Sequence, residues 1–453
     1  MRYVSTRKNC EEASFFEAFA NGLAPDGGLY VPAELPTLPE DLISDEAEPY
    51  PAVAVDFLEM FDTDHKPEEV FKLVDRSYSN FNDLSIAPLR KLADKLFVLE
   101  LFHGPTLAFK DFGLQLVGNL FEDQIRRTGE SINVLGATSG DTGSAAIHGL
   151  ADKEGVNVFI LYPKGRISQL QERQMTCTGA KNIYPIPIEG SFDDAQKIVK
   201  ELFNDAGFKR DVRLSAVNSI NMARILAQSI YYVHAFMQLP AENADDVQFV
   251  VPTGNYGNIF AGWLASKMGL PCDRFVVATN QNDILHRLFK TGVYEQGDVH
   301  PSFAPSMDIQ IASNFERFLY YHVDGDGAAV TKMMHQIHDT GRLEVPNFNP
   351  DSFDATRTSD EAIIANIKRV HDEYNYIVDP HTACGFTDID PDRNTVILGT
   401  AHPAKFPDVI TKAIGEESKH PDLEALKTKE IVSYELEPTA DAVKAFMMLN
   451  AAI

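Results

Sequence analysis

The sequence predicts an α/β fold built on parallel strands, and three stretches carry that reading. Residues 132–135 form an apolar strand, 136–143 a glycine-bearing loop and the following residues a helix to Gly149, before a second strand at 156–162. The order recurs with a strand at 247–251, a loop at 252–258, a helix at 259–268 and a strand at 274–279. A third strand, 395–398, runs into a polar loop at 399–405. Near-continuous apolar runs such as 247–251 suit strands buried on both faces, which is the environment of a parallel sheet.

The remaining elements follow from local signals. Residues 14–20 read as a short helix, 24–28 (APDGG) as a turn, and 29–32 as an extended piece. Residues 49–63 and 66–80 read as two more helices, which makes residues 1–95 a largely helical N-terminal region. A helix over 112–127 shows Leu114, Val117, Leu120, Phe121 and Ile125 at helical spacing and stops at Gly129. Residues 164–175 read as a polar loop entering a helix, 182–187 as a strand, and 191–203 as a helix capped by Ser191 with Asp193 and Asp194 in its first turn. The last helix is expected at 439–449, and 324–328 and 347–354 read as surface loops. No internal repeat or low-complexity tract is visible.

Composition narrows the function. The chain has 453 residues, 44% hydrophobic and 23% charged, as expected of a globular protein with two or three domains. Lys and Arg number 40 against 66 Asp and Glu, a net charge of -26. Such a surface repels nucleic acid and anionic membranes, so neither is an expected partner, and an anionic substrate needs a locally positive pocket. Cys10, Cys177, Cys272 and Cys384 are widely spaced with no CxxC pair, which points to a reducing compartment, no disulfide framework and no metal site. The N-terminal residues Arg2, Arg7, Lys8, Glu11 and Glu12 interrupt any apolar signal core, and no run reaches the length of a membrane span. The expected location is the cytoplasm.

Chemistry is expected around Lys110. It stands between Leu107, Phe109 and Phe112 at the start of a helix, where the amide dipoles disfavour a cation. Desolvation there favours the neutral, nucleophilic amine, the form that makes a Schiff base with an aldehyde cofactor. An ordinary surface lysine with a snorkelling stem would look the same in isolation. In open parallel sheets ligands bind beyond the carboxyl ends of the strands, so the loops 136–143, 252–258 and 399–405 are expected to face one crevice. Gly254 and Gly257 ahead of a helix let backbone amides approach a phosphate, although a tight turn also needs glycine. The loop is neither a P-loop nor a dinucleotide fingerprint. Thr138, Ser139 and Thr142 offer hydroxyls to an anion, or caps to the next helix.

Taken together, the motifs HGPTLAFKDF (103–112), ATSGDTGSAA (137–146), PKGRIS (163–168), QERQMT (171–176), NSIN (218–221), PTGNYGN (252–258), ATNQND (278–283) and GTAHPAKF (399–406) resemble those of the threonine synthases. GLAPDGGLYVP (22–32) resembles the N-terminal region of the same family, and the likeness runs over nearly the whole chain in order. Members are pyridoxal-phosphate enzymes of fold type II, the tryptophan-synthase-β type. The resemblance implies parallel-rich sheets in a small domain at about 113–215 and a large one at about 96–112 plus 216–450, with closure on substrate binding.

The resemblance also implies roles. Lys110 would bind pyridoxal 5'-phosphate covalently and then move protons. Gly254, Asn255, Tyr256, Gly257 and Asn258 would hold the cofactor phosphate, and Thr400 would face the pyridine nitrogen. Thr138, Ser139, Asp141, Thr142, Asn218, Ser219 and Arg224 would bind substrate, with Lys164 and Arg166 as further candidates for its phosphate and His103 as an assistant. Tyr256 and Asn258 stand where phenylalanine and aspartate are frequent in the family. The implied reaction is the last step of threonine biosynthesis, converting O-phospho-L-homoserine and water to L-threonine and phosphate by γ-elimination and β-addition. A related lyase releasing 2-oxobutyrate is the rival, and a monomer or homodimer is the expected assembly.

Overall fold

A six-stranded and a four-stranded sheet carry the apolar runs of the sequence. In chain order the strands are β1 (Tyr3–Ser5), β2 (Tyr30–Pro32), β3 (Leu89–Ala93), β4 (Leu96–Glu100), β5 (Ile132–Ala137), β6 (Val156–Pro163) and β7 (Ile183–Ile188). They continue with β8 (Leu214–Ser215), β9 (Val247–Pro252), β10 (Arg274–Thr279), β11 (Val293–Glu295), β12 (Arg342–Glu344), β13 (Phe353–Arg357) and β14 (Asn394–Gly399). The computed structural model describes residues 1–44, 48–138, 140–216, 218–272 and 274–452. It divides into a larger unit (Met1–Val74, Phe81–His103, Ser219–Ser418) and a smaller one (Asp75–Asn80, Gly104–Asn218, Lys419–Ile453).

In the larger unit the strand order is β13-β10-β9-β14-β4-β3, parallel throughout except for the antiparallel β3–β4 pair at one edge. Every residue of β9 and β14 is buried, as their unbroken apolar character requires. Val98, Val250 and Ile397 meet Ile363, Ile367 and Val370 of the Asp360–Tyr374 helix on one face. The Met222–Met237 helix is buried on every side, including its polar residues Arg224, Gln228, Ser229 and His234. The N-terminal helix, Phe15–Asn21, begins at a reciprocal capping box between Ser14 and Glu17. Two segments read as loops are partly ordered: Asp326 caps the Gly327–Thr340 helix, and β13 opens at Phe353.

The smaller unit has the all-parallel order β7-β6-β5-β8. Its Phe192–Asn204 helix starts at Ser191, whose hydroxyl accepts from Asp194 N–H. The grouping differs from the expected borders: residues 1–74 and 81–95 join the larger unit, and 75–80, 104–112 and 419–450 the smaller. Residues 104–112 fall here because their helix packs on the helix after β5. The C-terminal segment falls here because Val443 and Met447 of the Ala440–Asn450 helix share a core with Leu135, Phe159 and Ile186. Each such fully buried aliphatic or aromatic side chain contributes about 2 kcal/mol to that attachment.

The helix bearing Lys110 runs from Lys110 to Thr128, so the lysine is its first residue and not the residue before it. It crosses the Asp141–Leu150 helix at contact distance. A Cβ on Gly118 would lie 1.9 Å from the Gly149 carbonyl oxygen, and one on Gly149 would lie 2.3 Å from that of Leu114. Only glycine at both positions lets the two backbones touch, and that contact fixes one helix start beside the other.

Candidate active site

In the smaller unit the turn before Lys110 is built by Asp111, which is fully buried. Its carboxylate accepts from Thr106 N–H at 2.8 Å and from the Thr106 hydroxyl at 2.7 Å. Leu107 adopts φ +59, and a Cβ on Gly104 would lie 2.6 Å from Asp111, so the glycine and the aspartate of the motif are used for shape. Phe109 takes the N-cap position without a side-chain cap. Lys110 Nζ lies 3.5 Å from Asp141 Oδ2 and 5.0 Å from the Phe109 ring centroid. Asp141 is itself the first residue of the next helix, and its Oδ1 accepts from Gln171 Nε2 at 3.1 Å. A buried carboxylate is thus supplied as counter-ion to the partly buried amine.

The 136–143 loop bonds two of its own amides. Thr138 Oγ1 accepts from Gly140 N–H at 3.0 Å and Gly143 N–H at 2.9 Å. That hydroxyl is spent on the loop's own amides. Thr142 is half-buried on the first turn of the helix, and Ser139 lies outside the described residues.

In the larger unit β9 ends in the 252–258 loop and β14 in Thr400, on neighbouring parallel strands, so both lie at the same sheet edge. The 136–143 loop belongs instead to the sheet of the smaller unit. Tyr256 takes φ +64 immediately before the Gly257–Lys267 helix, a left-handed geometry that an aromatic side chain adopts at a cost of about 1–3 kcal/mol. Its ring is held among Phe289, Phe315, Phe318 and Phe353. The phenol, its ionisation pushed up by burial, has no hydrogen-bond partner among the described residues. The amides of residues 254–258 have no acceptor among the described residues, and Phe260 N–H is the first to donate, to Tyr256 O at 3.1 Å. Asn258 Oδ1 accepts from Tyr231 and Tyr232 hydroxyls at 2.5 and 2.9 Å.

Asn314 holds this loop from behind. Its Nδ2 donates to Asn255 O and Ser219 O, each at 3.1 Å, and its Oδ1 accepts from fully buried Arg317, whose own ionisation burial pushes down to about 9. Ser219 is therefore joined to the 252–258 loop through its carbonyl. Asn221 caps the Met222–Met237 helix, which carries Arg224, a cation that burial pushes down to about 10. Asn218 is half-buried and belongs to the smaller unit. Thr400 is 5% exposed, and its Oγ1 has no hydrogen-bond partner among the described residues. Lys164 is exposed and pairs with Glu189 and Glu435 at 3.1 and 3.0 Å, and Arg166 is exposed. His103 Nε2 lies 2.8 Å from Glu100 Oε2, a carboxylate that also accepts from the Tyr376 hydroxyl.

The chain matches a family model described as pyridoxal-phosphate dependent enzyme over residues 84–394. It also matches threonine synthase N terminus over 2–78 and threonine synthase, C-terminal, over 381–447. The threonine synthase of Pseudomonas aeruginosa is 45% identical over 424 residues, which cover 91% of this chain and 90% of that protein. The chain belongs to the threonine synthase family. A pyridoxal-phosphate-bound threonine synthase from Brucella melitensis has the same fold, with a TM-score of 0.95 at 39% identity over 100% of this chain and 99% of that one. The yeast enzyme gives 0.93 at 38% identity, again over 100% and 99%.

The residues fit the cofactor this family uses. The open amides before the Gly257–Lys267 helix suit a phosphate at a helix N-terminus. The orphaned Thr400 hydroxyl suits a pyridine nitrogen, since a buried hydroxyl without a partner costs about 1–3 kcal/mol that such a nitrogen relieves. The sequence reading missed Asp379, His381 and Thr382, which lie behind Thr400. The Asp-Pro step at 379–380 is a helix-start signal that a motif search passes over, and the Pro380–Cys384 helix does begin there.

Proposed function

We propose that this chain converts O-phospho-L-homoserine and water to L-threonine and inorganic phosphate, the last step of threonine biosynthesis. The observation that carries the reading is Lys110 at the start of a buried helix with Asp141 3.5 Å away, in a chain matched nearly end to end by threonine synthases. Bound pyridoxal phosphate supplies an electron sink for charge developing on the substrate carbons.

Lys110 would hold pyridoxal phosphate, and its amine would move the protons at the substrate's Cα and Cβ. Asp141 steadies the ammonium form of Lys110 between these transfers. The amides of Gly254, Asn255, Tyr256, Gly257 and Asn258 would hold the cofactor phosphate, and Thr400 Oγ1 would face the pyridine nitrogen. A hydroxyl there, in place of a carboxylate, would leave that nitrogen largely unprotonated and the electron sink milder. Ser139 and Thr142 bind the substrate carboxylate, with Thr138 shaping their loop. Arg224 binds the substrate phosphate, since a desolvated guanidinium gains most from an anionic partner, and Asn218 and Ser219 are further substrate-binding candidates. The salt-bridged Lys164 is the weaker candidate. Four cysteines outside any disulfide support a reducing, cytoplasmic setting, and the assembly is a monomer or homodimer.

The test is product analysis after mixing the holoenzyme with O-phosphohomoserine. Threonine and phosphate in equal amounts are expected. Phosphate with 2-oxobutyrate instead of threonine would replace the synthase reading by a lyase.

A further inference from the structure

Asp379 is 1% exposed and accepts four hydrogen bonds. Its Oδ1 takes the His381 N–H and His381 Nδ1–H, each at 2.9 Å, and its Oδ2 takes the Thr382 N–H at 3.3 Å and the Thr382 hydroxyl. A carboxylate is acceptor-only, so it alone among similar side chains satisfies four donors here. From this hub two arms run to the larger unit's cofactor-binding candidates. In the first, the Thr382 hydroxyl gives its proton to Asp379 and accepts from Thr400 N–H at 3.0 Å. In the second, His381 Nδ1–H faces Asp379, which leaves Nε2 as the acceptor of Ser306 N–H at 3.1 Å. The Ser306 carbonyl oxygen in turn lies 3.1 Å from where a Cβ on Gly254 would stand. His381 and Thr382 are 4% and 1% exposed, so neither arm competes with water.

We infer that Asp379, His381 and Thr382 are positioning residues that set both ends of the cofactor from one carboxylate: Thr382 through the backbone of Thr400, and His381 through the 306–307 turn against Gly254. The inference rests on the proposed roles of Thr400 and Gly254. It makes the two arms separable. The Thr382 arm governs the electronic surroundings of the pyridine ring, and the His381 arm governs the grip on the phosphate. Asp379 is required for both, because an amide at that place would turn a donor towards groups that are themselves donors.

The test uses holoenzyme and four variants, reading the absorbance maximum of the bound cofactor, its dissociation rate and its ³¹P resonance. Thr382→Val is expected to shift the absorbance maximum and speed dissociation about tenfold, because the Thr400 amide loses its buried acceptor. Thr382→Ser keeps the hydroxyl and is expected to restore both. His381→Asn keeps a donor towards Asp379 and loses the acceptor for Ser306. It is expected to move the ³¹P resonance and speed dissociation while leaving the absorbance maximum in place, and it remains informative should the valine variant fold poorly. Thr400→Ala separates the two levels of the argument. If it alters the spectrum while Thr382→Val and His381→Asn leave all three readouts at wild-type values, the positioning network is overturned and the role of Thr400 stands. If Thr400→Ala also changes nothing, the assignment of Thr400 to the cofactor fails, and the inference with it.

Discussion

The molecule has two strand-to-helix corners that look alike in sequence and differ in what they leave unsatisfied. At the corner after β5, the Thr138 hydroxyl takes two loop amides, and Asp141 brings a negative charge to the start of its helix. At the corner after β9 no acidic side chain and no capping hydroxyl is present, and the amides of 254–258 have no acceptor among the described residues. Both carry glycines and both begin a helix, but the first bonds two of its amides to its own Thr138, whereas the second leaves five without an acceptor among the described residues. The first also turns its carboxylate to Lys110. Glycine in a strand–helix loop therefore does not by itself mark a phosphate site; the absence of an internal acceptor does.

The sharpest way to break this division is to remove the amine. Lys110→Ala is expected to lower kcat/KM by roughly 10²–10⁴-fold or more and to abolish the visible band of the covalently held cofactor, as steady-state assay and absorbance would show. Next, Asp141→Asn removes the counter-ion and retains the shape. A fall in kcat of about tenfold to a hundredfold is expected with cofactor retention unchanged, and equal losses in both would make Asp141 part of the cofactor grip. Gly254→Ala is expected to do the converse. A Cβ there would press on the Ser306 carbonyl at 3.1 Å and on the phosphate approach, so cofactor dissociation should rise about tenfold.

Smaller effects test the internal bonding of the corners. Thr138→Val keeps the volume but strips two buried amides of their acceptor, so a loss of about 1–3 kcal/mol is expected in chemical denaturation. Tyr256→Phe removes a buried hydroxyl without a partner among the described residues, and stability should stay level or rise by about 1 kcal/mol. A clear destabilisation would show that the phenol is bonded.

Much of this was legible in the sequence because the signals are local. Both βαβ units, the Ser191 cap and the Gly129 stop depend on residues a few positions apart. The family motifs lie in the same loops. The rest depends on contacts across long separations. Nothing near Thr138 says that its hydroxyl will turn inward, and nothing near Asp379 says that Thr400 lies beyond Thr382. The Gly118–Gly149 contact needs two helices that sequence cannot place side by side. The Met222–Met237 helix buries Arg224, Gln228 and His234 along with its apolar residues, which local sequence does not announce. Asp141 shows the limit most plainly: its motif implies a substrate-binding loop, and nothing in that motif says that its carboxylate lies 3.5 Å from Lys110 Nζ.

The most direct measurement is to fix the cofactor to the protein by borohydride reduction of the holoenzyme and to locate the label by peptide mass spectrometry. The account predicts a single pyridoxyl group on Lys110, absent when unreduced cofactor is dialysed away from Lys110→Ala before reduction. A label on another lysine of the wild-type chain, or none at all, would contradict the assignment of Lys110 and with it the division of labour between the two corners.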